Sequence, residues 1–292
     1  VGAFTALLAA TMACVESDIK RVLAYSTVSQ LGYMMAAAGA GAVAAGFFHL
    51  LTHGVFKALL FLAAGAVIHA VGTNDIFRMG GLGRFMPQTG LVFIIGTLAL
   101  AGVWPLAGFF SKEAVLEGVW NGGRSGVFLL LAVTAFLTAF YMFRVVFVTF
   151  FGHGHPHGGS RPHDGPWLMR GPLWLLAALT VIIGLSFAVG GAGEHHPPGW
   201  LTALSLALAG GGIALAWAMY GARWLPVEVM RRPLAPIEFL ARRGYFLDAL
   251  YAAVYRGLML GFARLIGWID RYLVDGLLNV FRAWSLRAGD AL

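Results

Sequence analysis

Cysteine is nearly absent: Cys14 is the only one in 292 residues. One thiol cannot build a disulfide framework, nor a cysteine-ligated iron–sulfur or metal site. Charge is scarce as well. Asp, Glu, Lys and Arg make up 11% of the chain, against about 25% in soluble domains. The sequence also lacks a phosphate-binding loop, a dinucleotide fingerprint and a nucleophilic triad, so it offers no redox or hydrolytic chemistry of its own. Its apolar runs are continuous rather than alternating, which argues against a β-barrel. No basic leader with a small-residue cleavage site precedes the first apolar run, so a signal peptide is not expected. The run begins at Val1, and the expectation is a partial sequence that opens inside or at the edge of a membrane helix.

Apolar residues are abundant instead. Hydrophobic residues reach 59%, mean hydropathy is +0.79, and there are 22 Phe, 9 Trp and 40 Gly. These features predict an all-α integral membrane protein. The formal charge of +7 would suggest nucleic acid in a soluble protein. Here the basic residues lie between apolar spans, where they set topology, and no nucleic-acid partner is expected.

Seven transmembrane helices are expected: Val1–Val15, Val22–Gly41, Ala42–Ala70, Leu91–Val119, Val127–Phe151, Pro172–Val189 and Trp200–Tyr220. If they alternate, Lys20, Arg21, Arg78, Arg84, Arg161, Arg170, Arg223, Arg231 and Arg232 fall on one side. Only Arg124 falls on the other. By the positive-inside rule the first side is cytoplasmic. Arg144, late in the fifth span, is expected to snorkel to that face. After the seventh span Arg231–Pro236 reads as a basic turn. From about Gly244 apolar and charged residues then interleave at three- and four-residue spacing up to Ala288. That pattern predicts a long amphipathic helix along the membrane surface or along neighbouring helices, with Gly257, Gly261, Gly267 and Gly276 allowing kinks.

The span Ala42–Ala70 carries the chemistry. Lys57 lies in its middle, and His49 and His53 precede it by two turns and one, so all three share a helical face. A cation at mid-bilayer depth costs roughly 2.5–3.5 kcal/mol on insertion scales, and such residues usually face a polar interior. Desolvation brings both charge states of a lysine within reach, and histidine titrates near neutrality, so the face reads as a proton relay. Two other readings use the same residues: a lysine paired with a carboxylate for packing, and a His-x-x-x-His metal pair. The adjacent cation opposes the metal, and none is expected.

The fourth span is broken. Gly102, Pro105 and Gly108 cluster, with Lys112 and Glu113 just beyond. A broken helix at membrane depth is tolerated where it is buried or lines a cavity, and transporters place ion sites there. An ordinary proline kink and a snorkelling lysine are the alternatives. Lys112 could pass protons outward, with Glu113 and Glu117 near the rim. Asp18 and Lys20, at the cytoplasmic end of the first span, could gather protons or simply set topology. Ser26, Thr27, Ser29 and Gln30 on the second span could bond water or a neighbouring helix. His153, His155, His157 and His163 lie in a Gly/Pro-rich stretch that reads as a plain loop.

Four stretches together resemble a known family. They are the run from Asp18 to Met34 (DIKRVLAYSTVSQLGYM), the run from Phe48 to Leu62 (FHLLTHGVFKALLFL), Met79–Leu82, and Gly108–Glu113 (GFFSKE). They are similar to the antiporter-like membrane subunits of respiratory complex I, in the subunit L branch. The match is close in order and spacing over residues 1–151 and looser beyond, where Gly244–Asp248 resembles the start of that branch's lateral helix. The resemblance implies that residues 1–151 form the second of two inverted five-helix repeats and carry a proton half-channel. It makes Lys57 the central-axis lysine, His49 and His53 its relay, and Lys112 the lysine leading to the far side. Residues 152–221 would then hold two further spans, 222–243 a basic linker and 244–292 a truncated lateral helix. The first repeat's glutamate–lysine pair and the final anchoring helix are not in the sequence, which again implies a partial chain. NADH, FMN, iron–sulfur clusters and quinone would bind elsewhere in the complex, with no cofactor in this chain. Expected partners are other membrane subunits, above all neighbouring antiporter-like ones, and the lipid of a bacterial inner membrane. The large subunit of a multisubunit sodium/proton antiporter shares these motifs, hydrogenase relatives are a third possibility, and a purely structural role is the alternative from another class.

Overall fold

The computed structural model describes residues 1–152, 162–190 and 198–290, apart from the side chains of Gly190 and Asp290. His153, His155 and His157 lie outside the described residues. Two compact units are present, Val1–Arg242 and Arg243–Leu292. Both are helical, and the described residues contain no strand. An isolated backbone bridge joins Asp18 to Asp75.

The first unit contains α1 (Gly2–Val15), α2 (Ile19–Gly39), α3 (Val43–Val71), α4 (Pro87–Ala101), α5 (Ala107–Asn121), α6 (Ser125–Thr149), α7 (Trp167–Gly190), α8 (Gly199–Ala216) and α9 (Val227–Arg242). α3 is central and packs against α2, α4, α5 and α7, while α6 packs against both α1 and α8. Asp18 starts α2 by accepting hydrogen bonds from the backbone N–H groups of Lys20 and Arg21 at 2.8 and 3.1 Å. The α4 N-terminus is capped from a distance. The Asp164 carboxylate accepts from the backbone N–H groups of Gln88 and Thr89. Phe56, Leu59, Leu60, Phe93 and Leu100 fill the main core. In lipid such packing gains dispersion rather than relief from water, so the polar groups on these faces must find partners inside the bundle.

The broken span is realised as two helices of 15 residues each, α4 and α5, separated at residues 102–106. α7 closes over the break. A Cβ on Gly184 would stand 2.3 Å from the Pro105 carbonyl oxygen and 2.6 Å from the Ala107 nitrogen, so no larger residue lets α7 approach this far. Gly108 plays the same part in the first turn of α5, where a Cβ would meet the Ala99 oxygen of α4 at 1.8 Å.

Length and apolarity single out α3, α6, Trp167–Val189 and Gly199–Gly221 as able to cross a membrane, together with the 46-residue run Gly244–Gly289. α1 and α4 are apolar but shorter, and α2 spans 21 residues with a more polar sequence. Two expectations need correction. Residues 231–236, read as a basic turn, lie inside α9 despite Pro233 and Pro236. Proline's fixed φ is compatible with helix, and Glu238 ties the segment by accepting from Arg231 (2.9 Å) and Arg242 (2.8 Å). Arg144 does not snorkel, as shown below.

The second unit is a nearly continuous helical run made of α10 (Leu247–Val254), α11 (Leu260–Ile269) and α12 (Asp275–Asp290), joined by π-helical turns at Tyr255–Met259 and Asp270–Val274. Of the four glycines expected to allow kinks, only Gly257 falls in such a turn.

Candidate functional site: a buried lysine–histidine string

α3 carries Lys57, His53, Thr52 and His49 into the bundle interior, where each is at most 5% exposed. Lys57 Nζ donates to the Leu23 carbonyl oxygen at 3.0 Å and contacts Ser26 Oγ, both on α2. No carboxylate among the described residues forms an ion pair with it. The packing-pair reading of Lys57 therefore has no partner there. The Leu23 carbonyl also accepts from Ser26 Oγ and Thr27 Oγ1, each at 2.9 Å.

His49 is held at both ring nitrogens. Nε2 faces Gln30 Oε1 on α2, and Nδ1 faces Ser111 Oγ on α5, each at 2.9 Å. That leaves neither nitrogen free for a metal. Thr52 Oγ1 lies 2.8 Å from Ser111 Oγ. The His53 ring sits between its neighbours, 5.9 Å from His49 and edge-on to Phe56 at 5.4 Å, centroid to centroid. His53 Nε2 and Gln30 Nε2 are buried without a protein partner.

Lys112 owes its position to the break. The last carbonyls of a helix have no partner within it and carry its negative end. Lys112 Nζ donates to one of these, the Leu100 oxygen at the end of α4, at 2.5 Å. Its ammonium also stands 5.9 Å from the centre of the Tyr33 ring, at the outer limit of a cation–π contact. Tyr33 in turn donates its hydroxyl to the Leu131 oxygen. Glu113 is 4% exposed and accepts from Thr202 Oγ1 on α8.

The structure thus brings together Lys57, Ser26, His53, His49, Gln30 and, across on α5, Ser111 beside Lys112. It leaves others out. Thr27 turns back to its own helix, Ser29 bonds the Ala6 oxygen of α1 at 2.8 Å, Lys20 is exposed, and Asp18 is occupied as a helix cap. Thr52 and Ser111 were missed as site residues. Thr52 lies three residues after His49, on the same face, and that spacing was a usable signal. Arg144 was misplaced. It is 2% exposed, and its guanidinium donates to the oxygens of Ala13 (3.3 Å), Cys14 (2.5 Å) and Glu16 (2.7 Å). It caps the C-terminus of α1, whose carbonyls offer the nearest negative end.

A buried lysine held by neutral oxygens, two histidines on its face and a broken helix bearing a second lysine thus lie together in one membrane-type helical bundle. Residues 1–138 match the family described as NADH:quinone oxidoreductase/Mrp antiporter, transmembrane, and the chain belongs to this family of multi-pass membrane proteins. It is 40% identical to NADH-quinone oxidoreductase subunit L of Mycobacterium tuberculosis, over 96% of this chain and 47% of that protein. It is 38% identical to the chloroplastic NAD(P)H-quinone oxidoreductase subunit 5 of Nephroselmis olivacea, over 100% of this chain and 49% of that protein. The chain therefore spans about half the length of the curated relatives it matches. Among solved structures it resembles a chain of respiratory complex I from Thermus thermophilus, with TM-score 0.60 and 26% identity, over 73% of this chain and 43% of that one. It shares its fold with a chain of the Mrp complex from a Dietzia species, with TM-score 0.57 and 22% identity, over 76% and 48%.

Proposed function

We propose that this chain is the proton-translocating half of a subunit L of NADH:quinone oxidoreductase, in a bacterial inner membrane. Lys57 changes protonation, exchanges protons with the cytoplasm through the His49–His53 face and the polar α2, and Lys112 delivers them to the opposite side. NADH oxidation and quinone reduction, with FMN and iron–sulfur clusters, belong to other subunits, and neighbouring antiporter-like subunits are its partners in the membrane. Residues 1–151 act as the repeat that holds the half-channel.

One observation carries the reading: Lys57 is buried against oxygens that suit either of its charge states. A carbonyl accepts a hydrogen bond from an ammonium or an amine alike, whereas a hydroxyl accepts from the first and can donate to the second. A carboxylate would instead have fixed the charge. The measurement is proton pumping by the full complex carrying Lys57→Met, with assembly checked by native electrophoresis. Loss of pumping in an assembled complex is expected, and normal pumping would reduce Lys57 to a packing residue.

The family description spans both the oxidoreductase and the Mrp antiporter, so a sodium/proton antiporter large subunit is the second reading. The relatives that match over nearly all of this chain favour the oxidoreductase. Sodium-driven transport without quinone reduction would reverse that choice.

A further inference from the structure

Resting on that reading, we propose that Thr52 and Ser111 form a hydroxyl switch that lets His49 take up and release a proton while both of its ring nitrogens and both hydroxyls stay paired, linking α3 to the helix that bears Lys112. The argument starts from what each partner can do. Gln30 Oε1 can only accept, so the neutral His49 ring keeps its hydrogen on Nε2 and donates it there. Nδ1 must then accept, and Ser111 Oγ–H donates to it. Ser111 Oγ in turn accepts from Thr52 Oγ1–H.

When His49 gains a proton, both of its nitrogens become donors. Nδ1–H now donates to Ser111 Oγ, so the Ser111 hydrogen must turn away, and Thr52 Oγ1, 2.8 Å off, can accept it. The Thr52 hydrogen is released in the same step. It has acceptors already in reach, the carbonyl oxygens of His49 at 3.2 Å and Phe48 at 3.3 Å. The His49 ring nitrogens and the Ser111 and Thr52 hydroxyls therefore all keep a partner in both states. The two hydroxyls reverse together, and no heavy atom has to move. A buried polar group left unpaired costs about 1–3 kcal/mol, so a histidine without such a switch would resist the change of charge.

Thr52 and Ser111 are positioning residues in this scheme. The proton enters and leaves at His49, which also faces His53 from its own helix, Tyr33 from α2 and Lys112 from α5. The pairing also explains why both hydroxyls are buried, at 3% and 0% exposure, where alanine or valine would fill the space.

The test uses the whole assembled complex in liposomes and reads protons moved per electron delivered to quinone. Thr52→Val keeps the shape and removes the hydroxyl, whereas Thr52→Ser keeps the hydroxyl and removes a methyl group. The switch predicts that Thr52→Val loses as much translocation as Lys57→Met, and that Thr52→Ser stays at the wild-type ratio. Wild-type translocation by Thr52→Val overturns the switch, as does equal loss in both variants, which is the mark of packing. Ser111→Ala against Ser111→Thr is read by the same rule, and decides the matter if Thr52→Val does not assemble. Normal pumping by Lys57→Met in the same series would instead sink the underlying transport reading.

Discussion

Replacing Gly184 with alanine tests whether α7 holds the broken span in its working shape. The added Cβ would lie 2.3 Å from the Pro105 oxygen, 2.6 Å from the Ala107 nitrogen and 2.7 Å from the Leu106 carbonyl carbon. All three are backbone atoms, so no side chain can swing aside. Restoring ordinary contact at about 3.5 Å means shifting α7 or the break by roughly 1 Å. Overpacking of this kind costs about 1–3 kcal/mol. The shift falls at the start of α5, the helix that carries Lys112 to the Leu100 oxygen at 2.5 Å. A misplacement near 1 Å can slow a reaction by about 100-fold when geometry controls it. The assay is proton translocation by the assembled complex, with amide hydrogen exchange followed at residues 102–106. Slower translocation and faster exchange are expected. Gly210→Ala is the control, since a Cβ there meets nothing within 4 Å, and it should leave both readouts alone. Wild-type exchange and wild-type pumping in the Gly184→Ala complex would refute the claim that α7 sets the break.

Ser26 and Thr27 are neighbours with opposite expectations. Ser26→Ala removes an oxygen contacting Lys57 and should impair pumping, whereas Thr27→Val, whose hydroxyl bonds only its own helix, should not; vesicle proton uptake separates them. Arg144→Met strips the α1 C-terminus of three hydrogen bonds. At about 1.5–3 kcal/mol for a bond to a charged group, the complex should melt at lower temperature, read by thermal aggregation. On α9, partial burial pushes the Glu238 carboxyl up, but the hydrogen bonds from Arg242 and Arg231 outweigh it and hold the group below its ordinary value of 4.5. A depressed folded-state value means stabilisation that is full above 4.5 and lost as pH falls through the folded value. Because both arginines are largely exposed, the effect is small. Hydrogen exchange in α9 should quicken modestly at acid pH, and Glu238→Gln should remove that pH dependence.

The residues that announced themselves in the sequence did so through spacing along one helix or through a break in it. Lys57, His53 and His49 recur every four residues, and Gly102, Pro105 and Gly108 interrupt an apolar run. Both signals are local, and both sit where expected. What the sequence hid was set across helices. Ser111 is 62 residues from the histidine it bonds, and no pattern within α5 points to that partner. Arg144 looked like a snorkelling side chain because its own helix ends near the membrane surface. Its real acceptors come from α1, more than 120 residues earlier. α9 was missed because two prolines outweighed a pattern of charges that only a helix brings together.

The contrast between α2 and α3 bears on how this protein is made. Membrane segments leave the ribosome in order, so α2 enters before α3. α2 is the more polar of the pair, and it brings Ser26 and Gln30 into the bilayer before the α3 side chains that they meet in the fold. α3 follows with Lys57 and His49, which meet Ser26 Oγ and Gln30 Oε1, so each helix offsets part of the other's insertion cost. His49 still lacks its second partner until Ser111 emerges. A nascent chain halted before that point would hold the lysine in place but leave the histidine half-bonded. Insertion chaperones and quality-control proteases would meet that intermediate.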